Sequence, residues 1–507
     1  MDHPSIRHRG GQDEPGPDVS VSGPSDAAIA DLAPLVVDLD GTLTPTDTLM
    51  EAVVRTLRHH PADLLRLPFW LLKGRAAFKE ILASKSRIPA EHLPYRAALL
   101  DYLRGEREKG RRIVLATAAH WRIADAVAAQ LRLFDMVLAS DASRNLKGTV
   151  KLEAIRERVG ERFVYAGDSA ADLPIWRAAS AAVLVGVPSG VAKAIRSAVP
   201  IEREFPREKA GITTWLRALR VHQWLKNLLL FVPLLTAFSF LEADKLATML
   251  VAFFSFCCAA SATYLVNDLW DLDSDRVHPS KYQRPFASAQ IPIVNGVAMA
   301  AGAVALALAL ALAVSLGFSL MLVLYLAMTS LYSGLLKTYV LIDVLTLALL
   351  YTLRILAGSV ALGIVPSSWL LAFSVFIFLS LALVKRCSEL VALQHLGVDT
   401  TSGRDYRVSD LVVLWPLGIG SALCAVVVFG LFISAAETQA RYASPRLLWL
   451  VAVGFIYWLS RLWIKTVRGE MHDDPVVFAM RDRGSRITIW AMLATTLAAH
   501  FIPLAGP

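Results

Sequence analysis

Asn267-Asp268-Leu269-Trp270-Asp271-Leu272-Asp273-Ser274-Asp275-Arg276 crowds carboxylates into one short stretch, and Lys281 and Arg284 follow almost at once. Asn267, Asp271 and Asp275 stand at i, i+4 and i+8, so on a helix they share one face, with Asp268 beside them. Carboxylates this close repel one another. A divalent cation such as Mg²⁺, taking few protein oxygens and several phosphate oxygens, resolves the conflict. Arg276, Lys281 and Arg284 can then hold the rest of an anionic substrate. The competing reading is a solvated acidic helix end at a membrane border, but ionisable clusters in or beside a membrane are usually functional.

A second constellation lies in the first half of the chain. Leu35-Val36-Val37-Asp38-Leu39-Asp40-Gly41-Thr42-Leu43 is an apolar strand running into two alternating acids and a glycine turn. Period two sends Asp38 and Asp40 to opposite faces, so a turn must bring them to one site. Ile113-Val114-Leu115-Ala116-Thr117 is a second buried strand ending in a hydroxyl. Lys151 follows a turn at Gly148, and Phe163-Val164-Tyr165-Ala166-Gly167-Asp168 ends in acid with Asp172 one helical turn later. Strands alternating with helices predict a parallel α/β sheet, whose site lies at the strands' carboxyl ends. Two acids on one strand, a hydroxyl, a lysine and two further acids are what phosphate-ester hydrolysis through an aspartyl phosphate requires.

Both patterns resemble known families. The acidic stretch matches the first aspartate-rich motif of the UbiA-type intramembrane prenyltransferase superfamily. Its continuation Asp275-Arg276-x-His278-Pro279-x-Lys281-x-x-Arg284-Pro285-x-Ala287-Ser288 is similar to the branch containing decaprenyl-phosphate phosphoribosyltransferase. The resemblance implies that Asn267, Asp268, Asp271 and Asp275 hold Mg²⁺, with Asp271 central to catalysis, and that the substrates are PRPP and a polyprenyl phosphate. Trp224-x-Lys226-Asn227 resembles residues that precede the first span in that branch. Where aromatic prenyltransferases carry a second Asp-rich motif, this chain has Lys385-Arg386-Cys387-Ser388-Glu389-Leu390. One carboxylate cluster facing a cationic one suits two phosphorylated substrates. Tyr332, Lys337 and Asp343 flank a neighbouring helix turn, and Arg354 sits inside an apolar span, where an unpaired cation is costly.

The first half resembles the haloacid dehalogenase (HAD) phosphatase superfamily over roughly residues 34–198. That match makes Asp38 the nucleophile, Asp40 the general acid/base, Thr117 and Lys151 phosphoryl-binding groups, and Asp38, Asp168 and Asp172 the ligands of a second Mg²⁺.

The elements that must position these groups follow from apolar patterning. The chain has 507 residues, 55% of them hydrophobic, and a mean hydropathy of +0.50, which places it in a membrane. Apolar residues concentrate after residue 224. Residues 1–30, rich in Gly, Pro, Ser and Asp, read as a disordered tail. Residues 31–198 read as the α/β domain with a helical cap at about 49–105, and 199–224 as a linker with an interfacial helix. Residues 225–507 read as an all-α polytopic bundle of about nine spans near 225–241, 246–266, 292–314, 317–334, 340–362, 368–386, 411–434, 446–465 and 487–503. Lys and Arg concentrate in 267–291, 386–410 and 466–486, which sets those loops and the N-terminal domain in the cytoplasm, under a cell (inner) membrane. In the cap, Phe69, Trp70, Leu71 and Leu72 are either ordinary core or a bilayer contact. The net charge of +8 suits anionic lipid and phosphates, and no basic stripe with interleaved aromatics points to nucleic acid. The four cysteines have no metal-ligand spacing.

The sequence therefore predicts a bifunctional enzyme. A membrane transferase moves 5-phosphoribose to a polyprenyl phosphate, and a phosphatase removes the 5-phosphate to give a precursor for surface glycans. The rival readings are an aromatic or quinone prenyltransferase using a prenyl diphosphate, a transporter, and a HAD domain that only binds or regulates.

Overall fold

The computed structural model describes residues 32–206, 210–400, 403–471 and 474–503, so the expected tail at 1–30 lies outside the described residues. The chain divides into two compact units, Met1–Lys209 and Ala210–Pro507.

In the first unit, β1 (Leu35–Val37), β2 (Ile113–His120), β3 (Met136–Ser140), β4 (Val164–Gly167), β5 (Ala181–Val185) and β6 (Ile201–Phe205) form one sheet in the order β3-β2-β1-β4-β5-β6. All pairs are parallel. Leu35, Val37, Ile113 and Leu115 enter the core on one face, and Val36, Val114 and Tyr165 enter it on the other. Burial on both sides explains why these strands read as unbroken apolar runs. Between β1 and β2 lie α1 (Thr48–His59), α2 (Leu67–Leu72), α3 (Arg75–Lys85) and α4 (Ala97–Glu108), the helical cap region. Next come α5 (Trp121–Leu131), α6 (Thr149–Arg158), α7 (Leu173–Ala178) and α8 (Ser189–Arg196).

β6 corrects the expected linker from 199 onward. Its Glu and Arg residues belong to an edge strand whose Ile201 and Phe205 are half-buried while Glu202, Arg203 and Glu204 are exposed. Charges on an edge strand discourage pairing with another chain. Glu202 also accepts from the buried guanidinium of Arg111 at 3.0 Å.

The second unit begins with α9 (Ile212–Ala218), a 3₁₀ segment at Val221–Phe231 and α10 (Val232–Thr236). The bundle continues with α11 (Ala243–Trp270), α12 (Leu272–Val277), α13 (Ile293–Val314), α14 (Leu316–Gly334), α15 (Ile342–Leu362) and α16 (Ser368–His395). It ends with α17 (Leu411–Ser434), α18 (Leu448–Val467), α19 (Pro475–Arg481) and α20 (Arg483–Phe501). Among the described residues 7 helices are long and apolar enough to cross a membrane by length and composition, and the first and last of the nine expected spans are not among them. The expected first span is divided, because the 3₁₀ segment and the short α10 take its place. The expected last span is α20, whose Arg486, His500 and threonines lower its apolarity.

The 3₁₀ segment has a reason in packing. At three residues per turn, side chains at i and i+3 eclipse. Trp224, Asn227 and Leu230 therefore form one stripe, and Asn227 and Leu230 are its buried members. A Cβ on Gly358 would fall 2.1 Å from the Leu230 carbonyl oxygen, so only glycine lets α15 lie this close.

Candidate active sites

In the α/β unit, Asp38 leaves the end of β1, Thr117 lies in β2, Lys151 sits in the first turn of α6, and Asp168 follows β4. The topology brings them together. Lys151 Nζ donates to Asp38 Oδ2 at 2.6 Å and lies 3.6 Å from Asp172 Oδ1. The buried Thr117 hydroxyl accepts from the Ala119 N–H at 3.0 Å, inside β2 where its pairing with β3 becomes irregular. Asp40 is held by the Thr48 N–H at 2.9 Å, at the start of α1.

Asp38, Asp168 and Asp172 offer oxygens within 4.8 Å of one another, the only such group of three acids among the described residues. This all-oxygen, multiply anionic donor set suits Mg²⁺. Burial raises Asp38, and Asp172 adds to the effect while Lys151 opposes it. Burial, with the charges of Asp38 and Asp172, pushes Asp168 up to about 7. Burial and then the charge of Asp47 push Asp40 up to about 7, a value that lets a carboxyl deliver a proton near neutrality. Burial tends to lower Lys151, but Asp38 and Asp172 outweigh it and keep the ammonium charged.

Tyr165 escaped the sequence reading. Its fully buried phenol accepts from Lys151 at 3.0 Å and donates to Asp172 Oδ1 at 2.9 Å, tying two of the groups together. The available signal was a tyrosine in an otherwise apolar strand, since a buried phenol needs a partner.

Gly41 has φ +77°, and a Cβ there would fall 2.2 Å from Asp168 Oδ2. If the unit is a phosphatase, Gly41→Ala is expected to cut its rate by at least about tenfold. Phosphate release from the full-length variant measures this, and an unchanged rate would mean that the loop relaxes freely.

In the membrane unit the acidic stretch spans the junction of α11 and α12. Asp271 N–H still bonds Asn267 O and Asp275 N–H bonds Asp271 O, both at 2.9 Å, so helical spacing persists through the break. The four expected ligands are not drawn into a closed group. Asp268 is buried and accepts from Arg220 and, at 3.2 Å, from Arg284. Arg284 also reaches Asp275 Oδ2 at 2.6 Å, and Asn267 donates to Ser333 Oγ at 3.1 Å. Arg276 bonds the Ala287 carbonyl oxygen at 3.2 Å, and Lys281 is exposed.

A cationic region lies along the 3₁₀ segment. Lys226 Nζ is 2.7 Å from Asp474 Oδ2, and Lys385 Nζ is 3.9 Å from the same oxygen. Arg354 is buried, and its partners are Asn227 Oδ1 at 3.0 Å, the Leu350 carbonyl at 2.6 Å and the Tyr325 hydroxyl at 3.1 Å. No carboxylate pairs with it among the described residues. Tyr351 joins the two groups, since Lys226 and Arg354 stand 5.8 and 5.5 Å from its ring. Arg386 pairs with Asp343 and Glu389, and Arg404 lies 3.6 Å from each of those acids. Tyr332 and Lys337 are half-buried near the turn between α14 and α15.

Arg220, Arg404 and Asp474 were not singled out from sequence. For Asp474 there was a signal: it precedes Pro475, and its side chain caps α19 through the Val476 N–H.

Residues 228–504 match the model of the UbiA prenyltransferase family, and residues 35–177 match haloacid dehalogenase-like hydrolase. Over 476 residues the chain is 40% identical to the uncharacterized protein y4nM of Sinorhizobium fredii, covering 92% of this chain and 90% of that one. It is 37% identical to nodulation protein NoeC of Azorhizobium caulinodans, over 55% of this chain and 91% of that one. It is 30% identical to decaprenyl-phosphate phosphoribosyltransferase of Mycolicibacterium smegmatis, over 56% of this chain and 92% of that one.

Proposed function

The chain belongs to the UbiA prenyltransferase family and carries a haloacid dehalogenase-like unit ahead of that membrane domain, and on this basis we propose two consecutive reactions on one lipid. The membrane unit transfers 5-phosphoribose from PRPP to a polyprenyl phosphate. The α/β unit then hydrolyses the 5-phosphate, leaving polyprenylphosphoryl ribose for surface-glycan synthesis. Both sites are read as cytoplasmic, a reading that the Lys- and Arg-rich loops support.

The carrying observation is the charge layout. Among the described residues, Lys226, Arg354, Lys385, Arg386 and Arg404 stand against Asp343, Glu389 and Asp474, five cations to three carboxylates. Arg354 in particular is a buried guanidinium whose partners among the described residues are neutral. Anionic substrate would balance that excess. A separate set, Asp268, Asp271 and Asp275 with Asn267, suits a chelated diphosphate. The relatives named for phosphoribosyl transfer support the same assignment.

Asp38, Asp168 and Asp172 would hold one Mg²⁺ and Asn267, Asp268, Asp271 and Asp275 another, and the ions would supply charge neutralisation for the transferred phosphoryl group and for the departing diphosphate. Arg220, which holds Asp268 here, and Arg284, which holds Asp268 and Asp275, would bind phosphate oxygens. Lys226, Lys385 and Arg386 orient the two phosphates against each other. In the α/β unit Asp38 attacks phosphorus, Asp40 protonates the leaving oxygen, and Lys151 with Thr117 holds the phosphoryl oxygens.

The test uses purified protein in detergent with Mg²⁺, labelled PRPP and polyprenyl phosphate, with lipid products weighed by mass spectrometry. Wild type is expected to give polyprenylphosphoryl ribose, and Asp271→Ala to lose at least about 100-fold in transfer. Folded protein that ribosylates no lipid but couples a prenyl diphosphate to an aromatic acceptor would replace this reading with the quinone-type one.

A further inference from the structure

The cap carries an apolar surface that the hydrolase chemistry does not use. Leu67 and Trp70 turn inward from α2 and pack on the domain core. Leu65, Phe69 and Leu72 point away, 77%, 67% and 83% exposed, and Leu64 and Leu71 are more than half exposed beside them. Single exposed hydrophobics are ordinary, but five large ones on one short turn-and-helix mark an interaction site.

The charges around it select the partner. From Arg58 to Lys73 the sequence holds Arg58, Arg66 and Lys73 against one acid, Asp63. That acid is buried, its carboxylate taken by Arg66 at 3.0 Å and Lys85 at 2.7 Å. Arg66 and Lys73 are exposed and Arg58 is half-buried, so the rim is cationic around an apolar centre, the composition that enters the headgroup layer of an anionic bilayer. The α/β unit is covalently joined to a unit whose helices are long and apolar enough to cross a membrane, so a bilayer lies within reach of the tether.

We propose that the α2 surface, Leu64, Leu65, Phe69, Leu71 and Leu72, docks on an anionic lipid surface. The same cap lines the small pocket at Asp40, where Lys79 and Leu82 of α3 meet His120, and Lys79 ties it to the core through the Ala118 carbonyl at 2.5 Å and Asn145 Oδ1 at 2.8 Å. Docking would hold the mouth of the hydrolase at the level of lipid phosphates. Its substrate class is then a lipid-borne phosphate ester, a consequence that rests on the function proposed above.

The test is photocrosslinking in the full-length protein. p-Benzoylphenylalanine replaces Phe69, Leu72 or, as a control on α6, the exposed Glu157. Each protein is placed in phosphatidylcholine nanodiscs with or without phosphatidylglycerol, irradiated, digested and weighed. Phospholipid adducts are expected at positions 69 and 72, severalfold more with phosphatidylglycerol, and absent at 157. No adduct at either cap position, equal labelling at 157, or yields independent of phosphatidylglycerol would overturn the proposal. So would crosslinks at 69 and 72 to a second copy or to residues 210–507. Neither PRPP nor a phosphate ester enters the assay, so its outcome is separate from that of the two proposed reactions.

Discussion

Asp38→Asn is expected to slow phosphate release by on the order of 10⁴-fold, and to leave the lipid product carrying its 5-phosphate. An amide cannot attack phosphorus, but it keeps the shape of the carboxylate. The fold should survive, because Lys151 retains Asp172 at 3.6 Å and the Tyr165 hydroxyl at 3.0 Å once Asp38 loses its charge. Phosphate release and product mass are followed together, with circular dichroism as the folding control. A folded variant that still hydrolyses the ester at the wild-type rate would remove Asp38 as nucleophile. A domain whose wild type hydrolyses nothing would instead be a binding or regulatory module.

The largest expected effect on stability is at Asp343. Its side chain is 0% exposed and that of its partner Arg386 is 1% exposed. Asp343→Ala strands a guanidinium inside the bundle, with Glu389 and a competing Arg404 as its remaining charged neighbours. Losing one partner of such a pair costs about 3–5 kcal/mol, whereas exchanging both for apolar residues is often neutral. Asp343→Ala should therefore unfold at much lower denaturant than wild type. The double variant Asp343→Leu/Arg386→Met should recover stability without recovering lipid transfer, which separates a structural pair from one that also serves the substrate. Wild-type stability in the single variant would contradict the buried pairing.

How much of this could be read from the chain depended on how local each signal was. Asp38, Thr117 and Asp168 were legible because each follows a short apolar run, and a parallel sheet gathers the carboxyl ends of such runs. The acids at Asn267–Asp275 were read as one helix face; helical spacing does persist, but across two helices, and the four expected ligands are not closed into one group. Arg220 on Asp268 and Lys226 on Asp474 were not legible, since each joins residues that only the fold brings together, and nothing in local spacing announces them. β6 was misread for a different reason: an edge strand with a solvated face has the composition of a linker. The first span was misread because its apolar residues suit an α-helix and a 3₁₀ turn equally well. Only the close approach at Gly358 and the inward stripe of Trp224, Asn227 and Leu230 decide between them.

That 3₁₀ segment gives the site something like a reading frame. Successive residues in it are rotated by about 120°, so Lys226 turns to Asp474 while its neighbour Asn227 turns to Arg354. An insertion of one residue near Trp224 would shift the phase and exchange what the two neighbours face. An insertion of three would restore the phase and merely lengthen the segment by about 6 Å. Length variation here should therefore be tolerated in steps of three, unlike the whole-turn steps of an α-helix.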